Sequence, residues 1–525
     1  MGKRLFDKRN RFGIRKLSVG VCSVVVATCF LGVTTSYAEE QAERSETREE
    51  RVDTSDVEHQ GEEGKTVKDH QEESEHSSPV TSEKENRAVS QGTEATQPVA
   101  TADEEPEIAD YGPLPSKAQM QYHREELAAF IHFGMNTYYD REWGDGQEDP
   151  YYFYPEHLDT DQWIKTLKDA GFKRTIMVVK HHDGFLLYPS KYTDHTIAKS
   201  GWKEGKGDIL AEVSASASKY DMDMGVYLSP WDAHSPLYHV DTEDQYNEYY
   251  LNQLKEILED PKYGNKGKFV EVWMDGARGD GAQKVTYTFD KWFDAIRKAQ
   301  GDIAIFSAEP TNVRWIGNEK GIAGDPVWHK VNPDKIRNNP SNSYLNHGDP
   351  EGEQYSVGEA DVSIRSGWFY HDNQEPKSLR ELMDIYFKSV GRGTPLLLNI
   401  PPNQDGKFAD ADVARLKEFR QTLDQLYSVD YAAGALVEAD STRRNSHYAA
   451  SHLTDGDEKT SWAPADDAKT GSLVLDLGKE QHFDVVELKE TIEKGQRISG
   501  FTIDVAVNCQ WVPFGAGSTV GYRRL

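Results

Sequence analysis

Cysteine and long hydrophobic runs are scarce in this chain. Its 525 residues contain three cysteines, and two of them, Cys22 and Cys29, lie in or beside the apolar run Leu17–Val33. If that run is removed on export, Cys509 remains alone, which excludes an intrachain disulfide. We expect Cys509 to be packed, because no activating base lies near it in sequence. The fold must then be held by core burial, which a chain of this length can supply.

Positive charge is also in the minority. The chain has 60 Lys and Arg against 89 Asp and Glu, a formal net charge of −29. Nucleic acids and anionic membranes attract basic surfaces, so we expect neither as a partner. No second apolar run is long enough to span a bilayer, so we expect no transmembrane segment once the leader is removed. A neutral substrate fits these absences best.

The N-terminus has the parts of a secretory signal peptide. Basic residues precede the apolar run, and the small residues of Ser36–Ala38 follow it, so we expect residues 1–38 to be removed. The stretch Phe12–Gly20 resembles the extended signal peptides of Gram-positive surface proteins, with Phe12 where Tyr is usual. The resemblance implies a secreted or cell-surface protein of a Gram-positive organism.

Residues 39–110 lack aromatic side chains altogether. They carry 23 acidic and 7 basic residues, a net charge of −16. A segment with so little to bury cannot offset the entropy cost of folding. We predict a disordered acidic linker, which serves as a spacer or, alternatively, as an interaction tail.

Residues 111–428 alternate short β-rich runs with amphipathic helical stretches. The predicted helices include Thr160–Ala170, Tyr246–Leu258 and Phe289–Ala299. The predicted strands are Phe130–Gly134, Arg174–Lys180, Met224–Leu228, Val270–Asp275, Ile303–Phe306 and Pro395–Ile400. This alternation predicts an α/β domain with a parallel sheet. A (β/α)₈-type barrel is favoured over a doubly wound sheet, because no Gly-rich phosphate loop is found.

Residues 429–525 have a different sequence pattern, in which short strand-like runs are separated by turn residues. The runs are Ser472–Leu477, Phe483–Leu488 and Phe501–Ala506, and they predict a β-sandwich of the jelly-roll type. The sequence stops at Leu525 without a sorting sequence, so we expect this second domain to be truncated.

Polar side chains stand at the predicted strand ends, where a (β/α)₈ barrel carries its reactive groups. They are His132, His181, His182, Asp183, Tyr227 and Asp275. Metal-assisted hydrolysis could use the imidazoles and carboxylates as ligands. Glycoside hydrolysis could use two carboxyl groups, with the other side chains holding a sugar. Residue types and spacing leave both chemistries open.

Wider motifs between Pro113 and Tyr427 resemble glycoside hydrolase family 29, the α-L-fucosidases. In order, they are His132–Tyr138, Glu142–Gly144, Lys180–Phe185, Tyr188–Thr193, Gly225–Ser229, Trp273–Gly276 and Leu397–Pro402. The resemblance implies a retaining exo-enzyme that removes terminal α-1,3- or α-1,4-linked fucose from Lewis-type host glycans. It also implies fucosylated oligosaccharides and glycoproteins as partners, and no cofactor for catalysis.

The resemblance assigns roles to individual residues. It places the nucleophile at Asp275 and the acid/base at Glu319, within the stretch Arg314–Glu319, with Glu309 as the rival. The residues that it implies for substrate binding are His132, Glu142, Trp143, His181, His182, Tyr227 and Trp368.

Three further motifs, Ala450–Gly456, Thr460–Trp462 and Leu475–Gly478, resemble a discoidin-like (F5/8 type C) carbohydrate-binding module. The resemblance implies a structural calcium ion bound by Asp455 and Asp457. A catalytically inactive, glycan-binding surface adhesin is the alternative to an enzyme. The presence of both proposed catalytic carboxyl groups favours the enzyme.

Overall fold

The computed structural model describes residues 11–18, 22–27, 107–238, 243–278, 285–444, 446–466 and 468–525. Most of the predicted disordered linker therefore lies outside the described residues. Its last residues are described, and Glu107 accepts hydrogen bonds from Tyr448 Oη at 2.5 Å and His447 Nδ1 at 2.9 Å. These last residues of the predicted linker thus contact the C-terminal domain.

Eight parallel strands of the described chain close into a barrel, which confirms the predicted fold class. Each strand pairs with the next along the chain, and the last pairs with the first. We name them β1 (Leu127–Ile131), β2 (Arg174–Lys180), β3 (Asp223–Leu228), β4 (Glu271–Trp273), β5 (Ala304–Phe306), β6 (Val313–Trp315), β7 (Val357–Ser363) and β8 (Leu396–Asn399).

Helices cover the outside of the barrel, so its strands are buried on both faces. The longer ones are Thr160–Asp169, Ile209–Tyr220, Glu243–Leu258, Phe289–Gln300, Leu379–Lys388 and Asp410–Leu426. Another helix, Lys117–Glu125, packs Met120 and Tyr122 against the residues inside the barrel. The three predicted helices are confirmed, with ends that differ by at most three residues. Alternate strand residues face opposite sides, so Ala129 and Ile131 pack in the outer core while Ala128 and Phe130 pack inside the barrel.

Two barrel strands, β6 and β7, lie where the sequence predicted none. β6 is three residues long and its middle residue is the charged Arg314, so it shows no apolar run. β7 carries Glu359 and Asp361, which are buried although they are acidic. Such residues in a barrel interior interrupt the apolar run by which a buried strand is recognised.

The C-terminal domain is built from antiparallel strands. Within the described residues, its larger sheet has the order Leu436–Ala439, Thr470–Asp476, Arg11–Ser18, Phe501–Val507, Gln510–Gly517. Val485–Glu490 pairs separately with Cys22–Ala27. Two of these strands thus come from the predicted signal peptide, and removal of residues 1–38 would take them away.

Cys509 lies in the hairpin turn between the last two strands of that sheet. It is exposed, so the expectation of a packed cysteine is wrong. Asn508 and Cys509 have φ angles of +50° and +64°, which form the tight two-residue turn between antiparallel strands. The turn geometry, rather than core packing, places this side chain.

Two ion pairs and a main-chain hydrogen bond are among the contacts between the C-terminal domain and the barrel. Arg523 Nη1 lies 2.8 Å from Glu126 Oε2, and Arg524 Nη2 lies 2.6 Å from Asp325 Oδ2. The amide of Leu525 donates to the carbonyl of Gly391 at 2.8 Å. In the part of the chain that the structure describes, we find no helix with the length and apolar character needed to cross a bilayer.

Candidate active site

A cavity of about 90 Å³ opens at the carboxyl ends of the barrel strands, as expected for the reactive end of this fold. Its wall brings together eight of the residues predicted for the barrel site. The lining residues are Phe130, His132, Trp143, His181, His182, Tyr227, Trp273, Asp275, Ala277, Glu319, Asp361 and Trp368.

Asp275 follows β4 by two residues, and its carboxylate is held by two donors. Tyr227 Oη donates to Oδ2 at 3.0 Å, and the amide of Ala277 donates to Oδ1 at 2.8 Å. The side chain remains 24% exposed to the cavity. Burial and the adjacent charge of Asp275 raise the pKa of Tyr227 well above its usual value, so its hydroxyl remains a donor. The carboxylate is therefore oriented and still open to a ligand.

His181 and His182 both reach the cavity, although neighbours on a strand normally face opposite sides. The pairing of β2 with β3 shifts register between Val178 and Lys180. A turn then begins, in which the amide of Gly184 donates to the carbonyl of His181. The two imidazole rings consequently lie 4.1 Å apart, centroid to centroid.

The three cavity histidines are electrically neutral near pH 7. Burial lowers the pKa of His132 to about 3 and that of His181 well below its usual value. Burial also lowers the pKa of His182, against the opposing pull of Asp275. A neutral imidazole has one donor and one acceptor nitrogen, which suits the hydroxyl groups of a sugar.

Asn399, at the end of β8, orients the far wall of the cavity. Its Oδ1 lies 2.8 Å from His132 Nδ1, and its Nδ2 donates to the carbonyl of Trp368 at 2.7 Å. Asn399 lies within the motif Leu397–Pro402, but its part in orienting His132 and Trp368 was not predicted, because these residues are far apart in the sequence. A polar amide at the end of an apolar strand was the signal that could have indicated it.

Glu319 enters the cavity from the loop after β6. Its Oε2 accepts a hydrogen bond from Trp368 Nε1 at 3.3 Å. Burial raises its pKa; the Trp368 bond opposes this effect, and the charge of Asp275 adds to it. The rival, Glu309, instead pairs with Arg337 at 3.6 Å and is not part of the cavity wall.

Trp143 is part of the cavity wall, whereas Glu142, also predicted to bind substrate, is not. Glu142 is held behind Trp368, where Oε2 accepts from the Trp368 amide at 2.7 Å and Oε1 lies 2.6 Å from His371 Nε2. Trp143 is 63% exposed, and its ring lies edge-on to Trp231, with 6.0 Å between centroids. Trp143 and the partly buried Trp231 together form an aromatic surface beside the cavity opening.

The two predicted calcium ligands lie in a loop of the C-terminal domain. Asp455 Oδ1 accepts from the Asp457 amide at 2.9 Å, and its Oδ2 accepts from Thr460 Oγ1 at 2.8 Å. Asp457 Oδ1 accepts from the amide of Lys459. Both carboxylates are exposed, but the described residues contain no cluster of three or more His, Cys, Asp or Glu placed to hold a metal ion.

Comparison with known protein families gives three matches. Residues 115–425 match the Alpha-L-fucosidase family, residues 437–522 match the F5/8 type C domain, and residues 7–32 match the YSIRK type signal peptide. The signal-peptide match indicates export, in agreement with a secreted or surface protein.

Individual relatives agree with the family match. Alpha-L-fucosidase 1 of Arabidopsis thaliana is 40% identical over 418 residues, which cover 79% of this chain and 81% of that protein. A solved structure named SpGH29 is 59% identical with a TM-score of 0.78, and covers 80% of this chain and 92% of its own. A Ruminococcus gnavus GH29 fucosidase in complex with fucose is 41% identical with a TM-score of 0.75, and covers 80% and 90%.

These findings decide between the enzyme and the adhesin. The family match spans more than half of the chain and includes every residue of the barrel cavity. Two carboxyl groups, neutral imidazoles and aromatic rings meet in that cavity, as glycoside hydrolysis requires. The chain therefore belongs to the α-L-fucosidases of glycoside hydrolase family 29, and it is a glycoside hydrolase.

Proposed function

We propose that this enzyme removes terminal α-1,3- and α-1,4-linked fucose from Lewis-type host glycans by a retaining double displacement. The observation that carries the proposal is that Asp275 and Glu319 line one cavity from different barrel strands. Retaining glycosidases use one carboxylate as nucleophile and a second carboxyl group as acid and then as base. The different surroundings of Asp275 and Glu319 support the proposal of Asp275 as nucleophile and Glu319 as acid/base.

In the first step, Asp275 attacks the anomeric carbon and forms a glycosyl ester, while Glu319 transfers its proton to the leaving oxygen. Tyr227 and the Ala277 amide aim the nucleophile. Burial raises the pKa of Glu319, which favours the protonated form that an acid needs.

In the second step, water releases the sugar. Esterification removes the negative charge of Asp275, which had helped to raise the pKa of Glu319. Glu319, now ionised, takes a proton from water, whose oxygen attacks the anomeric carbon and breaks the ester bond. Two inversions at that carbon give α-L-fucose, with the configuration of the substrate retained.

The remaining cavity residues fit a single deoxy sugar. We assign His132, His181, His182 and Tyr227 to its hydroxyl groups, and Trp368 to its C5 methyl group. Glu142 and Trp143 lie at its edge. Because Trp143 and Trp231 are beside the opening, they offer an apolar surface to the next sugar of a branched glycan. The fucose bound by the Ruminococcus gnavus relative supports the choice of sugar.

Hydrolysis followed by proton NMR tests both the substrate and the mechanism. Lewis a and Lewis x trisaccharides are expected to lose fucose at least tenfold faster than an α-1,2-linked fucosyl disaccharide. Signals of α-L-fucose should appear before those of the β anomer, which then grows by mutarotation. Faster cleavage of the α-1,2 linkage would overturn the linkage assignment, and β-L-fucose as first product would overturn retention.

We further propose that the enzyme acts outside a Gram-positive cell, where its C-terminal domain contributes to glycan binding. The export signal and the F5/8 type C match support this location and role. The net charge of −29 suits neutral glycans in solution rather than anionic surfaces.

Calcium is proposed for the C-terminal domain alone, with Asp455 and Asp457 as ligands. Their oxygens are the hard donors that calcium takes, and a carboxylate oxygen that accepts one hydrogen bond retains a lone pair for a cation. Because an ion that binds only the folded state stabilises it, adding calcium after treatment with EDTA should raise the melting temperature.

We expect that rise to be lost in Asp455→Asn, and turnover on an aryl fucoside to be unchanged by EDTA. Calorimetry and kinetics on the same samples measure both effects. Loss of turnover with EDTA would place a metal in the reaction. A calcium response that survives in Asp455→Asn would remove this residue as a ligand.

A further inference from the structure

A third carboxyl group, that of Asp361, shares the cavity with the two proposed catalytic residues. It lies near the end of β7, is only 4% exposed, and forms part of the cavity wall beside Asp275 and Glu319. Along β7 it follows Glu359 by two residues, so both side chains point into the barrel. Neither the family resemblance nor the proposed mechanism gives Asp361 a role.

Two hydrogen bonds tie Asp361 to the segment that carries Glu319. Trp315 Nε1 donates to Asp361 Oδ1 at 3.0 Å. The amide of Gly321 donates to the main-chain carbonyl of Asp361, also at 3.0 Å. One donor lies four residues before Glu319 and the other two residues after it. Asp361 thus contacts the segment at both ends, with its side chain at Trp315 and with its main chain at Gly321.

The second of these contacts is tightly packed. Gly321 has a φ of +67°, and a Cβ there would lie 2.9 Å from Val362 Cγ1 and 2.8 Å from Ile385 Cγ2. Only glycine allows the backbone to approach β7 so closely in this conformation. At the other end, pairing between β6 and β7 fixes the backbone of Trp315, and the side-chain bond to Asp361 fixes the direction of its indole ring.

The surroundings of Asp361 favour its neutral form. Burial raises the pKa of Asp361 well above its usual value; negative charge on Glu319 or Asp275 adds to this shift, and the Trp315 hydrogen bond opposes it. Glu359 on the same strand also has a raised pKa through burial and carboxylate neighbours. A neutral carboxyl group still accepts the Trp315 hydrogen bond, and it adds no negative charge that would compete with Asp275.

We propose that Asp361 is a positioning residue for acid/base catalysis: it fastens the segment from Trp315 to Gly321 and so holds Glu319 at the cavity. The inference rests on the proposed acid/base role of Glu319. It assigns Asp361 no contact with the sugar. Its effect on the reaction is transmitted through the position of Glu319.

The test compares two substrates whose need for an acid differs. A Lewis trisaccharide has a poor leaving group that must be protonated. In an aryl fucoside with an acidic phenol, the phenolate leaves without protonation. Misplacement of a catalytic group by about 1 Å costs about 10²-fold. We expect Asp361→Ala to lower kcat/KM about 10²-fold on the trisaccharide and less than about fivefold on the aryl fucoside. Trp315→Phe, which removes the donor, should show the same contrast.

Asp361→Asn separates positioning from charge. Asparagine accepts the Trp315 hydrogen bond and carries no charge, so we expect kcat/KM within about threefold of wild type and an unchanged pH profile. Asp349→Asn is the control, since Asp349 is a buried carboxyl group held by Lys335 away from the cavity. Its melting temperature shows the cost of altering a buried carboxyl group elsewhere.

Three outcomes would overturn the proposal. Equal losses on both substrates in Asp361→Ala would show general damage to the fold. A shifted pH profile in Asp361→Asn would show that Asp361 is ionised, and wild-type activity in Asp361→Ala would show that the anchor is dispensable. Glu319→Ala is measured in parallel. If Glu319→Ala loses kcat/KM equally on the two substrates, the acid/base assignment fails. If Glu319→Ala shows the larger loss on the trisaccharide and Asp361→Ala does not, only the proposed role of Asp361 fails.

Discussion

Replacement of Asp275 by alanine is expected to lower kcat/KM by about 10⁴-fold or more on every fucoside, a loss of roughly 5.5 kcal/mol in transition-state stabilisation. Without the carboxylate, no glycosyl ester forms and both steps of the displacement are lost. Steady-state kinetics on the trisaccharide and the aryl fucoside measure the effect. The loss should be similar on the two substrates, because a nucleophile is needed whatever the leaving group.

Azide provides the stereochemical check on this variant. The space vacated by Asp275 lies on the face from which the nucleophile attacks, so azide entering there displaces the aryl group with a single inversion. The expected product is β-L-fucosyl azide, identified by its proton NMR coupling. A variant that kept a tenth of wild-type turnover would remove Asp275 from the reaction.

Replacement of Glu319 by alanine is expected to give a loss that depends on the leaving group. General acid catalysis contributes about 10²- to 10⁴-fold, so kcat/KM on a Lewis trisaccharide should fall within that range. On an activated aryl fucoside it should fall less than about tenfold, because the phenolate leaves without a proton. Hydrolysis of the ester then becomes slow, and a burst of phenol should precede the steady state.

Azide should raise the steady-state rate of this variant, since it attacks the ester without a base. The product is expected to be α-L-fucosyl azide, opposite in configuration to that from Asp275→Ala, because two inversions have occurred. If Glu319→Ala hydrolysed Lewis sugars at the wild-type rate, Glu309 would be the next residue to test.

The pH dependence of kcat/KM also tests the role of Glu319. Because Glu319 acts as an acid when substrate binds, kcat/KM on a Lewis sugar falls as the pH rises through its pKa. That pKa is raised by burial, so activity should extend to higher pH than an ordinary glutamic acid would allow. In Glu319→Ala acting on the aryl fucoside, this basic limb should disappear.

Sequence patterns predicted the barrel to the extent that its strands are apolar. Arg174–Lys180 was predicted with the bounds that the structure shows, because every residue in it is buried. β6 was missed because the charged Arg314 interrupts it, and β7 was missed because Glu359 and Asp361 face the barrel interior. Pairing with neighbouring strands, which creates that interior, cannot be read from a local pattern.

The candidate site was predicted in its parts but not in its arrangement. His181 and His182 stood next to each other in a predicted strand end, where opposite faces were the simplest expectation. A register shift and a turn bring both rings to the cavity. Asp361 was missed altogether, because an acidic residue inside an unrecognised strand has no distinguishing local signal.

The sequence by itself determined the chemistry that is available: the export signal, the acidic composition, the motifs of the fucosidase family and the carboxyl groups among them. Tertiary structure alone decided which of those groups share a cavity, because β4, β6 and β7 meet only when the barrel closes. Closure also sets their protonation, since burial keeps the histidines neutral and raises the pKa values of Glu319 and Asp361. Burial is a property of the folded chain, so no stretch of sequence could show it.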